Sequence, residues 1–290
     1  MMFSAVHHSI RSQLLTLCWG LCVLAVIPQV IHADPITDYN VAVEFYKQQR
    51  WDQAAEACAD FLKRNPNDER LVMIRLYWAQ SLLHLRKFKD ARDQFRLYLE
   101  KAGEHPDRGL AMYRIGECSY FMTDYPAAET DLQAFLKQFP KHDLAKWAWV
   151  YLGESQLRMK KYEPAVQAFE TYLELAPDGP LLDDAEFGLA TAFDALNQTE
   201  KANAVYKRIA DRPTSPRAAD AIFNIAAGDF DKQQFASAAE GFQRVIKEFP
   251  KSRLVPSAHL NAGYSLYSLS RFAEALEEFQ QAATEPSLTQ

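Results

Sequence analysis

Glycine is scarce in this chain, with 10 among 290 residues, and none falls in a G-x-G-x-x-G or G-x-x-x-x-G-K pattern. Without a loop that brings backbone amides against phosphates, nucleotide-dependent chemistry loses its usual signature. Excess positive charge is also missing: 32 Lys and Arg face 38 Asp and Glu, a formal net charge of -6 with a sequence pI near 5.7. Nucleic acid and anionic membrane surfaces are therefore disfavoured as partners. Catalytic motifs are lacking as well. There is no G-x-S-x-G elbow, no H-E-x-x-H and no cysteine with a convincing histidine partner. His84, His105, His142 and His259 are scattered without metal-ligand spacing. The paired acids Asp183 and Asp184 fall at an expected helix start, where they favour the helix dipole. No catalytic, cofactor or metal site is expected, and the chain is read as a non-enzyme. What the composition does hold, 48% hydrophobic and 24% charged residues, is that of a folding chain with a core.

The N-terminus reads as an export signal. Met1 to Ile10 carry no acid, Arg11 supplies positive charge, and the apolar run Leu14 to Ile27 is 14 residues long. That is short of the roughly 20 apolar residues of a spanning helix. Pro28 follows, then Val30, Ile31, His32 and the small Ala33, after which cleavage is expected. The competing reading is an uncleaved anchor, since Val30 and Ile31 could extend the run past the proline. Cys18 and Cys22 lack the small residues that precede a lipidated cysteine, so no lipid anchor is expected. The domains are thus a signal over 1–33 and a repeat domain over 34–290, exported to the periplasm. Cys58 and Cys118, two repeat units apart, read as buried thiols rather than a disulfide.

The rest of the chain repeats. An aromatic residue, then Ala three positions later, then a large residue four further on, recurs as Trp51, Ala54, Cys58, as Phe88, Ala91, Phe95, and as Tyr162, Ala165, Phe169. The alanines at 54, 91, 128, 165, 202, 238 and 275 are 37 residues apart, once 36. A second small residue precedes each by 12 positions: Ala42, Ala79, Gly116, Gly153, Ala190, Ala226 and Gly263. Two small positions per unit let paired helices approach closely. Pro66, Pro140, Pro177 and Pro250, twelve positions after an alanine, cannot continue a helix and mark its end. Pro126 and Pro164 fall in opening turns, where a missing N–H is tolerated. Apolar residues follow helical spacing and no strand alternation competes, so each unit is two helices. The fifth unit is least regular, with Thr199 at the aromatic position. Glu274, Glu277, Glu278, Gln280 and Gln281 are expected to give the final helix a polar outer face that serves as a cap.

Small residue, small residue, large residue, proline: this arrangement resembles the tetratricopeptide repeat, whose unit is about 34 residues. The match covers seven units from about Pro35 to Glu285. The resemblance implies an all-α fold, a right-handed superhelical solenoid of about seven helix-turn-helix units forming one domain without a hinge. It also implies that the first helix of each unit lines a concave face where partners bind. In the family's register the inward residues are Leu110, Tyr113, Glu117, Tyr120 and Phe121 in unit three, and Trp147, Val150, Glu154, Leu157 and Arg158 in unit four. Units five and six supply Phe187 and Asp194, then Phe230 and Asp231. Asp184, Asp220, Phe223, Tyr264 and Tyr267 fall in the same register, with helix capping the other reading for the two acids. Aromatic anchors ringed by polar groups suit a peptide or protein partner, and acidic spots favour one carrying Lys or Arg. An aromatic stripe at helical spacing is equally the signature of core. The carboxylate clamp of co-chaperone members needs lysine at first-helix positions that here hold Tyr39, Leu76, Tyr113, Val150, Phe187, Phe223 and Leu260. No such clamp is expected.

The segments Phe135 to Lys141 (FLKQFPK) and Val245 to Lys251 (VIKEFPK) are similar to those of an exported bacterial envelope group. That group includes the outer-membrane assembly lipoprotein BamD and the Tol-Pal cell-division coordinator. The resemblance implies a periplasmic scaffold for protein–protein interaction in the cell envelope. The alternatives are a structural subunit that uses its convex face or ends, and an accessory factor to cell-wall enzymes.

Overall fold

The computed structural model describes residues 34–284, which form fourteen α-helices and, among the described residues, no strand. The first unit is α1 (Pro35–Lys47) with α2 (Trp51–Arg64), the second α3 (Leu71–His84) with α4 (Phe88–Lys101), and the third α5 (Arg108–Phe121) with α6 (Tyr125–Gln138). There follow α7 (Ala145–Arg158) with α8 (Tyr162–Leu175), and α9 (Leu182–Ala195) with α10 (Thr199–Ala210). The last four are α11 (Ala218–Asp231) with α12 (Phe235–Glu248), and α13 (Val255–Ser268) with α14 (Phe272–Thr284). The all-α solenoid of seven helix pairs expected from the period is the fold. The export signal expected over residues 1–33 and the tail from Pro286 lie outside the described residues. No described helix is long and apolar enough to cross a membrane.

The recurrent small residues do what close helix approach requires. A methyl group at Gly116 would come within 2.6 Å of the Leu132 side chain, and one at Gly153 within 2.9 Å of Phe169. The partner alanines Ala54, Ala91, Ala128, Ala165, Ala202 and Ala238 are fully buried. Proline stops the second helices as expected: α2, α6, α8 and α12 end two residues before Pro66, Pro140, Pro177 and Pro250. Cys58 and Cys118 are free and buried, and burial pushes both thiols up to about 12.

The turn inside each unit is built one way throughout. Gln49, Arg86, Thr123, Lys160, Asn197, Gln233 and Ser270 all adopt φ between 57° and 61°, and none is glycine. In the first of these turns the Gln49 amide donates to the Tyr46 carbonyl and the Arg50 amide to the Phe45 carbonyl, a Schellman-type closure that satisfies the last carbonyls of α1. Each such residue carries the steric cost of a left-handed conformation. The repeated closure fixes the angle at which every second helix leaves its first.

Every helix packs on the next in the chain, and α1 also touches α3, α5 touches α7, α7 touches α9 and α11 touches α13. First helices therefore crowd together on one side, which makes the face they line the inner one. Ion pairs extend this stacking. Asp184 accepts from Arg217 at 2.7 Å and Asp220 from Arg253 at 3.0 Å, each linking first-helix starts in successive units. These acids do not cap their own helices as one reading of the sequence had it: the N-caps of α9 and α11 are Leu181 and Arg217, without side-chain caps.

Unit five departs where the sequence does. Its second helix, α10, has 12 residues against 14 in α8 and α12. A polar network spans the shortened unit. Arg212 donates to Asp183 at 2.8 Å and also to Glu186, Arg208 donates to Glu186 at 2.9 Å, and Ser215 donates to Asp183 at 2.7 Å. Burial raises the Asp183 carboxyl, but the hydrogen bonds from Arg212 and Ser215 outweigh it and hold the group below its ordinary value.

The last helix corrects a second expectation. Its polar cap is incomplete: Phe272 and Leu276 are both 57% exposed, while Glu278, assigned to the outer face, is instead turned in against His259 at 2.6 Å.

Candidate functional site: the inner face of the first helices

Two neighbouring areas make up the richest part of the inner face. The first is aromatic. Tyr120 lies 4.9 Å from Tyr151 and 5.4 Å from Phe121, centroid to centroid, and Phe121 stacks on Phe88 at 5.0 Å. Phe121 remains 41% exposed, so a cluster anchored in the core keeps an open aromatic surface. One unit pair earlier, Tyr46 sits 4.8 Å from Tyr77 and donates to Gln80 at 2.8 Å. Tyrosines suit such a face because they combine apolar area with a hydrogen-bonding tip.

Tyr113 and Glu117 lie beneath this surface. Tyr113 is 2% exposed, its ring 5.7 Å from Phe135 and 6.5 Å from Tyr151, and its hydroxyl donates to Glu117 at 3.2 Å. Glu117, 6% exposed, accepts from Arg114 at 2.6 Å. Burial, with Glu117 beside it, drives the Tyr113 phenol far above its ordinary value. Both residues were expected to contact a partner; the structure makes them supports of the aromatic surface instead. Val150, three residues before Gly153 as Tyr113 is before Gly116, is likewise buried at 3%. The reason is that α7 packs directly on α5 and covers this position. Inward exposure shifts one residue along, to Tyr151 and Arg114, which the family register passed over. A tyrosine two residues before the small position, as at Tyr77 and Tyr151, was the available sequence signal.

The second area is a cleft of about 460 Å³ between α7 and α9, lined by Glu154, Arg158, Phe187, Thr191 and Arg217 among others. Here the structure brings together four of the expected residues, Glu154, Leu157, Arg158 and Phe187. Arg217, at the N-cap of α11, lays its guanidinium 5.3 Å above the Phe187 ring, a cation–π geometry. Burial raises the Glu154 carboxyl above its ordinary value, with Arg158 opposing. Trp147 is half-buried and packs with the core beneath the aromatic area. Asp194, Phe230 and Asp231 do not join the cleft. Phe230 packs edge-on against Phe235 at 5.3 Å, and Asp194 and Asp231 are exposed near the ends of α9 and α11.

The acidic character expected of this face is largely neutralised. Glu117, Asp184 and Asp220 each have an arginine, Arg114, Arg217 and Arg253.

The tetratricopeptide repeat family model matches residues 39–106, 119–180 and 228–287, and a second model of the same repeat matches residues 184–215. This chain belongs to the tetratricopeptide repeat family. Proteins of this family bind protein partners, and the inner face described above is where the stacked first helices offer surface for one. No curated protein matches the chain. Among solved structures, the chain is similar to a tetratricopeptide repeat protein from Parabacteroides merdae, at 15% identity and a TM-score of 0.57 over 87% of this chain and 93% of that one. It is similar to BtubC from P. vanneervenii, at 15% identity and a TM-score of 0.56 over 68% of this chain and 87% of the other. The MamA protein aligns at 17% identity with a TM-score of 0.51, over 60% of this chain and 88% of its own. At these identities the likenesses establish the fold alone.

Proposed function

We propose that this tetratricopeptide repeat protein is a periplasmic scaffold of the bacterial cell envelope, binding rather than catalytic, that holds an envelope protein or peptide on its inner face. The observation that carries the binding reading is the open aromatic surface of Tyr120, Phe121 and Tyr151 beside the cleft of Glu154, Arg158 and Phe187. Export is supported by the Arg11, Leu14 to Ile27, Ala33 pattern, and the envelope setting by the FLKQFPK and VIKEFPK segments. A largely preformed groove limits the ordering cost of binding, and contacts spread over several units make affinity grow with the length of partner engaged.

The test is co-purification from the envelope fraction of the native host, with wild-type protein and a Phe121→Ala, Arg158→Ala variant side by side. One discrete protein is expected with the wild type and at least about tenfold less with the variant, the loss typical of removing an anchor. Recovery of the chain only from the cytosol would overturn the location. Undiminished partner with the variant would overturn the inner-face assignment.

A further inference from the structure

One register position of the first helices holds Gln80, Glu117, Glu154 and Thr191 in successive units, each 37 residues after the last. Three of these side chains are answered within the protein. Gln80 accepts from the Tyr46 hydroxyl at 2.8 Å, and Thr191 donates to the Phe187 carbonyl at 2.8 Å. Glu117 accepts from Arg114 at 2.6 Å and from the Tyr113 hydroxyl at 3.2 Å. Glu154 has no such partner. Unit four carries Val150 and Tyr151 where unit three carries Tyr113 and Arg114, and neither replacement supplies the missing donor. The Glu154 carboxyl makes no hydrogen bond or ion pair with any described residue, although burial already disfavours its charge.

Arg158, one turn further along α7, is exposed and unanswered as well. It holds the position at which His84 stacks on Trp51 and Phe121 on Phe88, yet it makes no ring contact, hydrogen bond or ion pair of its own with a described residue. Two opposite charges thus line the same cleft of about 460 Å³ without pairing with each other. Arg217, also in the lining, is engaged by Asp184 at 2.7 Å, and Lys160 is exposed. Leu157 and Phe187 supply apolar wall.

The chemistry of an occupant follows from both signs. A ligand that is only cationic would satisfy Glu154 but meet Arg158 and Lys160. One that is only anionic would satisfy the arginine but lie against the Glu154 carboxylate. A group that carries both charges a few ångströms apart answers both residues, and a cleft of this size takes a small molecule or one side chain. We infer that the cleft binds an α-ammonium carboxylate group, its ammonium donating to Glu154, its carboxylate accepting from the Arg158 guanidinium, and its apolar substituent against Leu157 and Phe187. A free amino acid offers such a group, and so does a peptide side chain that ends in one. This rests on the inner face as the working surface and names what one part of it recognises.

The test is calorimetric titration of the full chain with leucine, N-acetylleucine and leucinamide, the last two lacking the ammonium and the carboxylate respectively. Leucine is expected to bind at least about tenfold more tightly than either control, the loss that removing one charged hydrogen bond implies. Glu154→Gln should bring N-acetylleucine level with leucine, and Arg158→Gln should do the same for leucinamide. A merely structural role for either residue would not change selectivity in this way. Because Arg158 is exposed, its variant keeps the test open should Glu154→Gln not fold. A peptide containing diaminopimelic acid, whose side chain ends in the same group, forms a second arm. Tighter binding of the peptide than of leucine assigns the group to a peptide, and the reverse assigns it to a free amino acid. Equal affinity for leucine and both controls, binding of one control alone, or no binding in either arm would overturn the inference. No ligand binding beside intact capture of an envelope protein strikes this inference and spares the inner-face reading; leucine binding with no captured protein does the opposite.

Discussion

Replacing Phe169 by alanine should cost about 3–5 kcal/mol and split the unfolding of this protein into two transitions. Phe169 on α8 is fully buried, and it is received by glycines on both sides: Gly153 of α7 within its own unit and Gly188 of α9 in the next. A methyl group at either glycine would collide with the ring, which is how tightly the ring is held. Truncation leaves a cavity flanked on two sides by glycines that have no side chains to move into it, which places the loss toward the upper part of the range for aromatic-to-alanine changes. The lost contact joins units four and five, and in a stack where each unit touches only its neighbours, that loosens the coupling between the two halves. Urea unfolding followed by circular dichroism should show a lower first midpoint and a second transition. A single transition at the wild-type midpoint would mean that coupling across this junction does not depend on Phe169.

The second large effect separates support from contact. Tyr113→Ala should destabilise by about 3 kcal/mol or more, because it empties a site between Phe135 and Tyr151 and removes the hydroxyl donor from the buried Glu117. Tyr113→Phe, which removes the hydroxyl alone, should cost about 1 kcal/mol. Phe121→Ala, about two helix turns further along the same α5, should change stability by less than about 1 kcal/mol, since the ring is 41% exposed. Partner binding should follow the opposite order: strongly reduced by Phe121→Ala, and intact for Tyr113→Phe. Thermal unfolding and partner titration on the same three variants decide this. A Tyr113→Ala protein as stable as wild type would contradict the assignment of this tyrosine to the core.

Much of this molecule is legible in its sequence because its physics is local and repeated. The 37-residue interval, the small residues that admit a facing side chain and the prolines that end second helices each act within one unit, and all are where the structure uses them. What reads less well depends on neighbours. Whether Tyr113 or its neighbour Arg114 faces outward is decided by how α7 lies across α5, a choice between adjacent positions that a contact from another unit settles. Six of the seven left-handed turn residues are hidden because glutamine, arginine, threonine, lysine or serine stands where glycine would have flagged the conformation, while Asn197 is of a type that adopts it readily. The Asp184–Arg217 and Asp220–Arg253 ladders join residues 33 apart, and charges at helix starts have a simpler local explanation in the dipole.

The central claim is that the inner face of the first helices is where this protein meets its partner. Its most direct test is site-specific photo-crosslinking from position 121 on the inner face, with position 170, exposed on second helix α8, as the control, in the native envelope and with the products identified by mass spectrometry. The account predicts one discrete partner captured from position 121 and absent from position 170. Capture from position 170 with none from position 121 would contradict it and move the working surface to the second helices.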